Sequence, residues 1–591
     1  NTTGAESVAV GAYALSNNST ASNQVAVGYS ALGANTTGAN NVAIGKDALI
    51  ANTTGGSHVA VGASSLHANT TASYNVAIGS SALSSNTTGG YNTAVGTYAQ
   101  LTNTTGPQNT AIGYEAMEAN TTGGYSVAVG MRALESNTTA HNNCAVGYYA
   151  LNLNTTGTYN CAIGENALTN NTTASHNTSV GARTLTTNTT GAYNAALGYY
   201  SLHANTTGAQ NVAVGAYALD ANTTGSDNTA IGGQSLSANT TASFNTAVGK
   251  NALEANTTAS DNTAVGVNAL RTTTTGADNT AVGSNALRNT TTGSACTAVG
   301  KSALHFNTTG EYNTAVGHSA LDANTTGTKN TGLGYGALTD NSTGSHNVAI
   351  GENCLADNTT ASNNVAIGMD ALRLNTTADN NTAVGTSSLK VATTGDNNTC
   401  IGRDSLNSLT TGRFNTALGI NGQHVTTGEN NSFIGYNAGS AASPSGNITT
   451  ESNYVVLGDD YIDHLMCADT AISSSDSRDK TDITSFTHGL NWVNKLQPKT
   501  YRWDKRSWYS DDLSATPDGS KKKPQVNIGF LAQDVLAIEQ ADGFASSVDN
   551  MLTVHKTPDG KRYGLKYERL VPVLVNAIKE LSAKVAALEA A

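Results

Sequence analysis

Asn35-Thr-Thr-Gly-Ala-Asn-Asn-Val-Ala-Ile-Gly45-Lys-Asp-Ala-Leu-Ile-Ala51 is one unit of a pattern that fills most of this 591-residue chain. Its glycine, Gly45, belongs to a series that recurs every 17 residues from Gly11 to Gly419 without a miss, twenty-five in all. A globular core has no use for such a period, whereas a solenoid of near-identical coils requires it. Seventeen residues are too few for two helices with their turns, and the apolar positions lack a 3.6-residue period. Val8, Val10 and their equivalents, β-branched around a small residue, read as short strands. Two strands and two tight turns would account for one flattened coil, and coils about 4.8 Å apart would make a shaft of about 120 Å from twenty-five of them. The predicted class is an all-β repeat solenoid, a β-roll with a 17-residue coil, followed by a small α+β C-terminal domain.

The columns of the repeat carry different demands. The residue before the clock glycine is aliphatic in every regular coil (Val10, Ile44, Val61, Leu197), and a leucine ladder stands four residues after it (Leu15, Leu32, Leu49, Leu66), interrupted by Gln100 and Met117. A column of small residues, such as Ala9, Ala26 and Ala43, predicts close approach of another backbone layer; three rolls packed around an axis would bury it and protect exposed edges. The invariance of the clock glycine predicts positive φ or no room for a Cβ. A second glycine column tolerates alanine, Gly4 and Gly38 alternating with Ala21, Ala72 and Ala140, so crowding is the expectation there.

Asn-Thr-Thr or Asn-Ser-Thr stands at one fixed coil position twenty-one times. Each copy is formally an N-glycosylation acceptor, Asn35, Asn52 and Asn69 among them. The competing reading is an Asn turn beside a stacked threonine ladder. Thr273, Thr290, Ala392, Leu409 and Val425 replace the asparagine yet keep the threonine pair, so the threonines read as the structural demand. Tyrosines gather at the variable positions (Tyr13, Tyr74, Tyr91, Tyr159, Tyr193), which read either as solvated turn positions or as a surface suited to weak repeated contacts with glycans.

Charge is unevenly placed: residues 1–474 hold 12 Lys/Arg against 26 Asp/Glu, and 475–591 hold 17 against 15. An acidic shaft disfavours nucleic acid. No apolar run of about 18 residues exists, so no membrane span is expected. Asn1 lies inside a repeat with no initiator Met, which predicts a preceding portion bearing an attachment or export signal. Six cysteines show no zinc spacing; Cys144 and Cys161 share a column and read as small half-buried residues rather than a disulfide. No cofactor or metal is expected.

The expected organisation is a repeat shaft over 1–435, a degenerate repeat, linker and neck over 436–474, and a distinct domain over 475–591. The clock slips at Gly435, a loop Gly439–Gly446 follows, and all three tryptophans lie beyond Ser475. Trp492 and Trp503 read as core, and Lys521-Lys522-Lys523 as a solvated insertion. Val571, Leu574, Ile578, Leu581, Val585 and Leu588 follow heptad spacing, which predicts a coiled-coil oligomerisation helix over about 570–591.

Four motifs occur in order: Ser475-Asp-Ser-Arg-Asp-Lys480-Thr-Asp-Ile483, Leu496-Gln-Pro-Lys-Thr-Tyr-Arg-Trp503, Asn527-Ile-Gly-Phe-Leu-Ala-Gln-Asp534 and Tyr567-Glu-Arg-Leu-Val-Pro-Val-Leu574. Here the chain closely resembles the intramolecular chaperone auto-processing domain at the C-termini of phage tailspikes, endosialidases and tail fibres. The resemblance implies a domain that trimerises, assists folding of the upstream fibre and then cuts itself off. It places the scissile bond at Ser474–Ser475, with Ser475 as nucleophile and Lys480 as general base. Asp479 departs from the usual aliphatic residue before that lysine, and a carboxylate so near would keep Lys480 protonated and slow the cut. The repeat itself is loosely similar to the head repeats of trimeric autotransporter adhesins, which use a shorter period.

The leading expectation is an extracellular homotrimeric fibre, a phage tail fibre or similar appendage, whose partners are its own copies and a cell-surface glycan. An N-glycosylated cell-surface filament or adhesin is the alternative. A polysaccharide depolymerase would need paired carboxylates in a groove, and no coil supplies a distinctive pair.

Overall fold

The computed structural model describes residues 2–462, 477–510, 513–557 and 559–591. Two compact units make up the chain, Asn1–Gly332 and Leu333–Ala591. In the first, each coil contributes a three-residue strand, from Val8–Val10 to Thr314–Val316. Each strand pairs in parallel with the one 17 residues on, so that Val42 faces Val59, Ala43 faces Ala60 and Ile44 faces Val61. The second unit carries the same ladder from Val348–Ile350 to Thr416–Leu418. Where the clock slips, Thr416 lies opposite Ser432 and Leu418 opposite Ile434. The last strand of the ladder, Val455–Leu457, then pairs with Ser432–Ile434.

The solenoid class is as the repeat predicts, but each coil has one strand, not two. The rest of the coil is turns, built on residues in the left-handed region: Asn40 (φ 62°), Asp47 (φ 58°) and Leu49 (φ 50°) in one coil, with equivalents in the others. Such a conformation costs a non-glycine residue about 1–2 kcal/mol. Bonds to the next coil hold it, as where Leu32 N–H donates to the Ala48 carbonyl at 3.0 Å and Asp47 N–H to the Tyr29 carbonyl at 2.9 Å.

The interior is narrow. Ala43, Ala48 and Leu49 are fully buried within a single chain, as are their column mates from the second coil onward, and each buried leucine contributes about 1.5–3 kcal/mol. The expectation that neighbouring rolls bury the small column is therefore corrected: the coil's own opposite wall does so. What stays outside is the aliphatic ladder before the clock glycine, with Val10, Ile44, Ile78 and Leu197 between 40% and 56% exposed. The clock glycines run from φ +113° (Gly419) to +142° (Gly45). A Cβ on Gly45 would stand 2.4 Å from the Gly62 carbonyl oxygen, so both reasons predicted for its invariance hold. At the alanine-tolerant column φ is not positive; there a Cβ on Gly38 would crowd the Gly55 carbonyl.

Two asparagine ladders line the interior. Asn52 Nδ2 donates to Asn35 Oδ1 at 2.8 Å, Asn69 to Asn52 at 2.9 Å, and so on to Asn256 on Asn239 at 3.1 Å. Each also donates to a carbonyl of its own coil, as Asn52 does to Gly55 at 2.9 Å. In the second ladder Asn75 Oδ1 accepts the Asn92 backbone N–H at 2.8 Å, while Asn92 Nδ2 donates to the Gly106 carbonyl at 3.0 Å. The first threonine of each pair joins in: Thr36 Oγ1 donates to the Thr53 carbonyl at 3.0 Å, whereas Thr37 is exposed. The replacements leave a trace. Asn256 Oδ1 and Asn375 Oδ1, which precede Thr273 and Ala392, are buried without a donor, and so are the Thr273 and Thr290 hydroxyls. The asparagine can thus be replaced, at the cost of an orphaned acceptor.

Cys144 and Cys161 face each other in register as free thiols. Parallel strands about 4.8 Å apart hold the two Cβ atoms wider than the roughly 3.8 Å a disulfide prefers.

Two predictions follow from polar groups inside the coils. Gln100, in the leucine column, is fully buried with Oε1 unpartnered and Nε2 reaching only Met117 Sδ at 3.9 Å. Gln100→Leu is expected to stabilise its coils by about 1–3 kcal/mol, read as slower amide hydrogen exchange over residues 96–130. His58 replaces an asparagine of the second ladder; its Nε2 lies 2.7 Å from the Ala72 carbonyl and its Nδ1 accepts the Asn75 N–H at 3.2 Å. Burial holds its pKa below the ordinary 6.5. The unfolded chain then binds the extra proton first, so the contribution is complete above about pH 6.5 and declines as pH falls below it. Exchange protection of coils 45–79 should drop between about pH 7.5 and pH 5.5 in the parent chain and stay level in His58→Asn.

Candidate functional site

Beyond the solenoid lie α1 (Leu490–Lys495), β1 (Lys499–Tyr501), β2 (Asn527–Gly529), α2 (Ala532–Ala541), β3 (Val554–Lys556), β4 (Tyr563–Leu565) and α3 (Leu570–Glu589). β1 pairs antiparallel with β2, and β3 with β4. Trp492 on α1, Ile538 on α2 and Val573 on α3 form the core, packed by Phe486, Val493, Leu496, Phe544 and Leu552. Trp492 Nε1 donates to the Asp542 carboxylate. The buried Glu539 carboxylate accepts the backbone N–H groups of Leu552 at 3.0 Å, Thr553 at 2.6 Å and Val554 at 3.2 Å, which ties α2 to the start of β3.

Trp492 is core as expected, but Trp503 is not: it is 48% exposed, with Tyr501 edge-on at 5.3 Å and the Lys505 ammonium 5.3 Å from its ring. The lysine run is not a simple solvated insertion either. Lys521 Nζ donates to the Trp508 carbonyl and lies 5.1 Å from the Tyr509 ring, and Lys523 Nζ lies 5.5 Å from the Trp508 ring. The lysine triplet alone looks like a charge run; aromatic faces folded beneath it are a tertiary fact.

The end of the solenoid is joined to this domain by one buried carboxylate. Asp460, 3% exposed, accepts from Arg562 Nη1 at 2.7 Å and from Ser507 Oγ, while its carbonyl accepts from Lys505 Nζ at 2.8 Å. Arg562 Nη2 also donates to the Ala441 carbonyl, and Asp460 N–H to the Ala442 carbonyl at 2.8 Å, so one guanidinium ties the terminal loop and the chain leaving it to β4. The Tyr461 ring lies 6.5 Å from that of Trp508. Sequence reading misses this junction because its partners stand 102 positions apart and neither belongs to a motif.

Of the proposed dyad, Lys480 is exposed and follows a single helical turn, Ser477–Asp479. Ser474 and Ser475 lie outside the described residues. The heptad positions are on the surface of α3: Leu574, Ile578, Leu581, Val585 and Leu588 are between 45% and 78% exposed, while Leu570, Val573 and Ala577 turn inward. One chain thus leaves the predicted seam uncovered.

On the coils, Asn35, Asn52 and Asn69 are fully buried with their amide nitrogens engaged, so the folded coil offers no glycan acceptor at these positions. Three carboxylates do converge, which residue-by-residue reading overlooked although the 17-residue offset between Glu118 and Glu135 announces it. Oxygens of Glu115, Glu118 and Glu135 lie within 4.8 Å of one another. Arg132 Nε stands 2.6 Å from Glu115 and 3.9 Å from Glu135. A hydrogen bond from Tyr114, then the Arg132 guanidinium, holds Glu115 below the usual carboxylate range; burial, then Glu115 and Glu135, pushes Glu118 up. With a guanidinium among them the three serve as an ion-pair rung between coils. Among the described residues no helix is long and apolar enough to cross a membrane.

Residues 475–547 match the chaperone of endosialidase family, the match beginning at Ser475 itself. No curated protein matches the chain. Each unit thus carries a parallel β-solenoid ladder, and in the second the ladder is followed by a stretch similar to the chaperone of endosialidase family.

Arg562→Ala would strand Asp460 as a buried unpaired charge. It is expected to weaken the junction by about 3–5 kcal/mol, read as faster amide exchange over residues 441–460 with the core around Trp492 still protected.

Proposed function

We propose that this chain is the protomer of a homotrimeric fibre of phage tail-fibre or tailspike type, extracellular or on the virion, whose C-terminal domain sets up the trimer, assists folding of the solenoid and then releases itself. The observation that carries the reading is the chaperone-of-endosialidase match beginning at Ser475, directly behind a repeat whose coils are nearly interchangeable. Two uncovered apolar surfaces support a multi-chain state. One is the α3 seam, and the other is the aliphatic ladder on the outward face of the strands, which is longer than a lone soluble chain ordinarily exposes.

Self-cleavage at Ser474–Ser475 is part of the proposal. Ser475 Oγ would attack the Ser474 carbonyl carbon, giving up its proton to the Lys480 amine. The C–N bond breaks as the ester forms, the proton passes to the freed Ser475 amine, and water hydrolyses the ester. A hydroxyl held beside the carbonyl that precedes it has a very high effective molarity, so little else is required. Lys480 is exposed in the single chain, and assembly of the trimer is what would bring it to the Ser475 hydroxyl in a site closed to water. Host contact would fall to the exposed tyrosines of the coils, where a glycan is the partner proposed.

Expression of the parent chain and Ser475→Ala, compared by denaturing electrophoresis, tests the cut. The parent should yield the 117-residue fragment 475–591 and Ser475→Ala only the full chain; equal full-length bands in both would refute self-processing.

A further inference from the structure

We infer that a groove on the coils around Tyr217 is a carbohydrate subsite, in which one pyranose ring lies on the Tyr217 face and donates hydroxyls to the Asp220 carboxylate beside the Gln234 amide. The inference rests on the reading of the chain as a host-contacting fibre and names a place and chemistry for that contact. The groove, of about 280 Å³, is lined by Tyr217, Asp220, Gln234, Ser237 and Ala238. It lies on the turns that follow Gly215 and Gly232, away from the strand Val212–Val214 whose outward face would meet other copies.

The aromatic half of the site is built. Tyr200 stacks beneath Tyr217 at 5.6 Å and 26°, and Tyr199 meets it edge-on at 5.6 Å and 86°. Arg183 donates to the Tyr200 hydroxyl and lies 5.6 Å from its ring, which fixes the far end of the stack. On the other side the next coil carries Gln234 at the tyrosine position, so the stack ends and one face of Tyr217, itself 40% exposed, opens on the groove. An aromatic face with no ring to cover it suits the C–H face of a sugar.

The polar half is only partly answered. Asp220 Oδ1 is buried without a hydrogen-bond donor. Burial pushes its carboxyl above the usual range, offset in part by its own backbone N–H and by His203. Elsewhere on these turns a base from a neighbouring coil answers the carboxylate: Arg271 Nε stands 2.6 Å from Glu254, and Lys390 Nζ 3.2 Å from Asp370. Above Asp220 the chain places Ser237, whose hydroxyl donates onward to the Glu254 carbonyl at 3.3 Å. A half-exposed carboxylate beside an exposed amide and an open ring face calls for a ligand with adjacent hydroxyl donors and an apolar side, which is a pyranose.

Saturation-transfer NMR on the full chain, with glucose, galactose, N-acetylglucosamine and choline as separate probes, tests the site. At least one sugar should receive saturation through its ring C–H protons. Tyr217→Ala should lower that affinity about tenfold or more and the near-isosteric Asp220→Asn about fivefold, with Thr37→Ala, an exposed threonine on a distant coil, unchanged. Absence of sugar signal, signal that survives both substitutions in chains with parent circular dichroism, or binding of choline alone would overturn the proposal. Trimer mass and the 475–591 fragment, read on the same preparations, report on the fibre reading separately.

Discussion

Each coil of the solenoid lies one strand spacing from the next, and nearly every feature of the repeat follows from how little room that leaves. A Cβ on Gly45 would meet the Gly62 carbonyl at 2.4 Å, and the same holds along the glycine column. The contact excludes every side chain there, fixes a φ that only glycine adopts easily, and forces the strand to turn away after three residues. With the strand so short, the opposite wall reaches the interior, and the space between them is filled mainly by Ala, Ala and Leu. The coil is thus sized by backbone contact between neighbours rather than by a hydrophobic core that grows with the chain.

Such proximity exposes polar backbone to a nearly dry interior, and the asparagines answer it. Each buried amide has a donor and an acceptor aimed along the stack, so a column of them bonds to itself at one residue per coil, as Asn52 does to Asn35. The same logic makes each break visible. Asn256 loses its donor because Thr273 has a hydroxyl too short to reach it, and Asn375 loses its own to Ala392. These coils carry a local weakness of order 1–3 kcal/mol. They also differ from their neighbours, which in a repeat of interchangeable parts is a form of information.

The period and the glycine column announced the solenoid because a 17-residue repeat has few physical solutions. The strand count was misjudged for a reason the residues conceal: Leu49 has no propensity for the left-handed region, and it sits there only because Ala48 and its neighbours in the stack hold the backbone. The motifs from Ser475 onward pointed to the right family, since they are a signature and not a composition. Asp460 and Arg562 stayed hidden, as did the groove at Tyr217. Both depend on which residues the fold brings opposite one another, whether across the 102 positions between the two charges or at a coil where glutamine follows tyrosine in the column.

Interchangeable coils create a particular hazard. Two chains that pair one coil out of step lose a single rung while every strand, asparagine and threonine still finds its partner, so the energy gap between correct and slipped assemblies is small. Stability alone cannot remove that degeneracy; a boundary can. The Asp460–Arg562 junction supplies one within each chain, because it fastens the last coil to a domain that occurs once and has its own core around Trp492. If three such domains associate first, the coils beside them start in step, and each later coil is added to a neighbour already in place. On this logic the best place to fix the start is the end where the repeat has ceased to be regular, after Gly435 and before Ser475. Release of the domain would then cost the fibre nothing in register, since a slip would require undoing many coils at once.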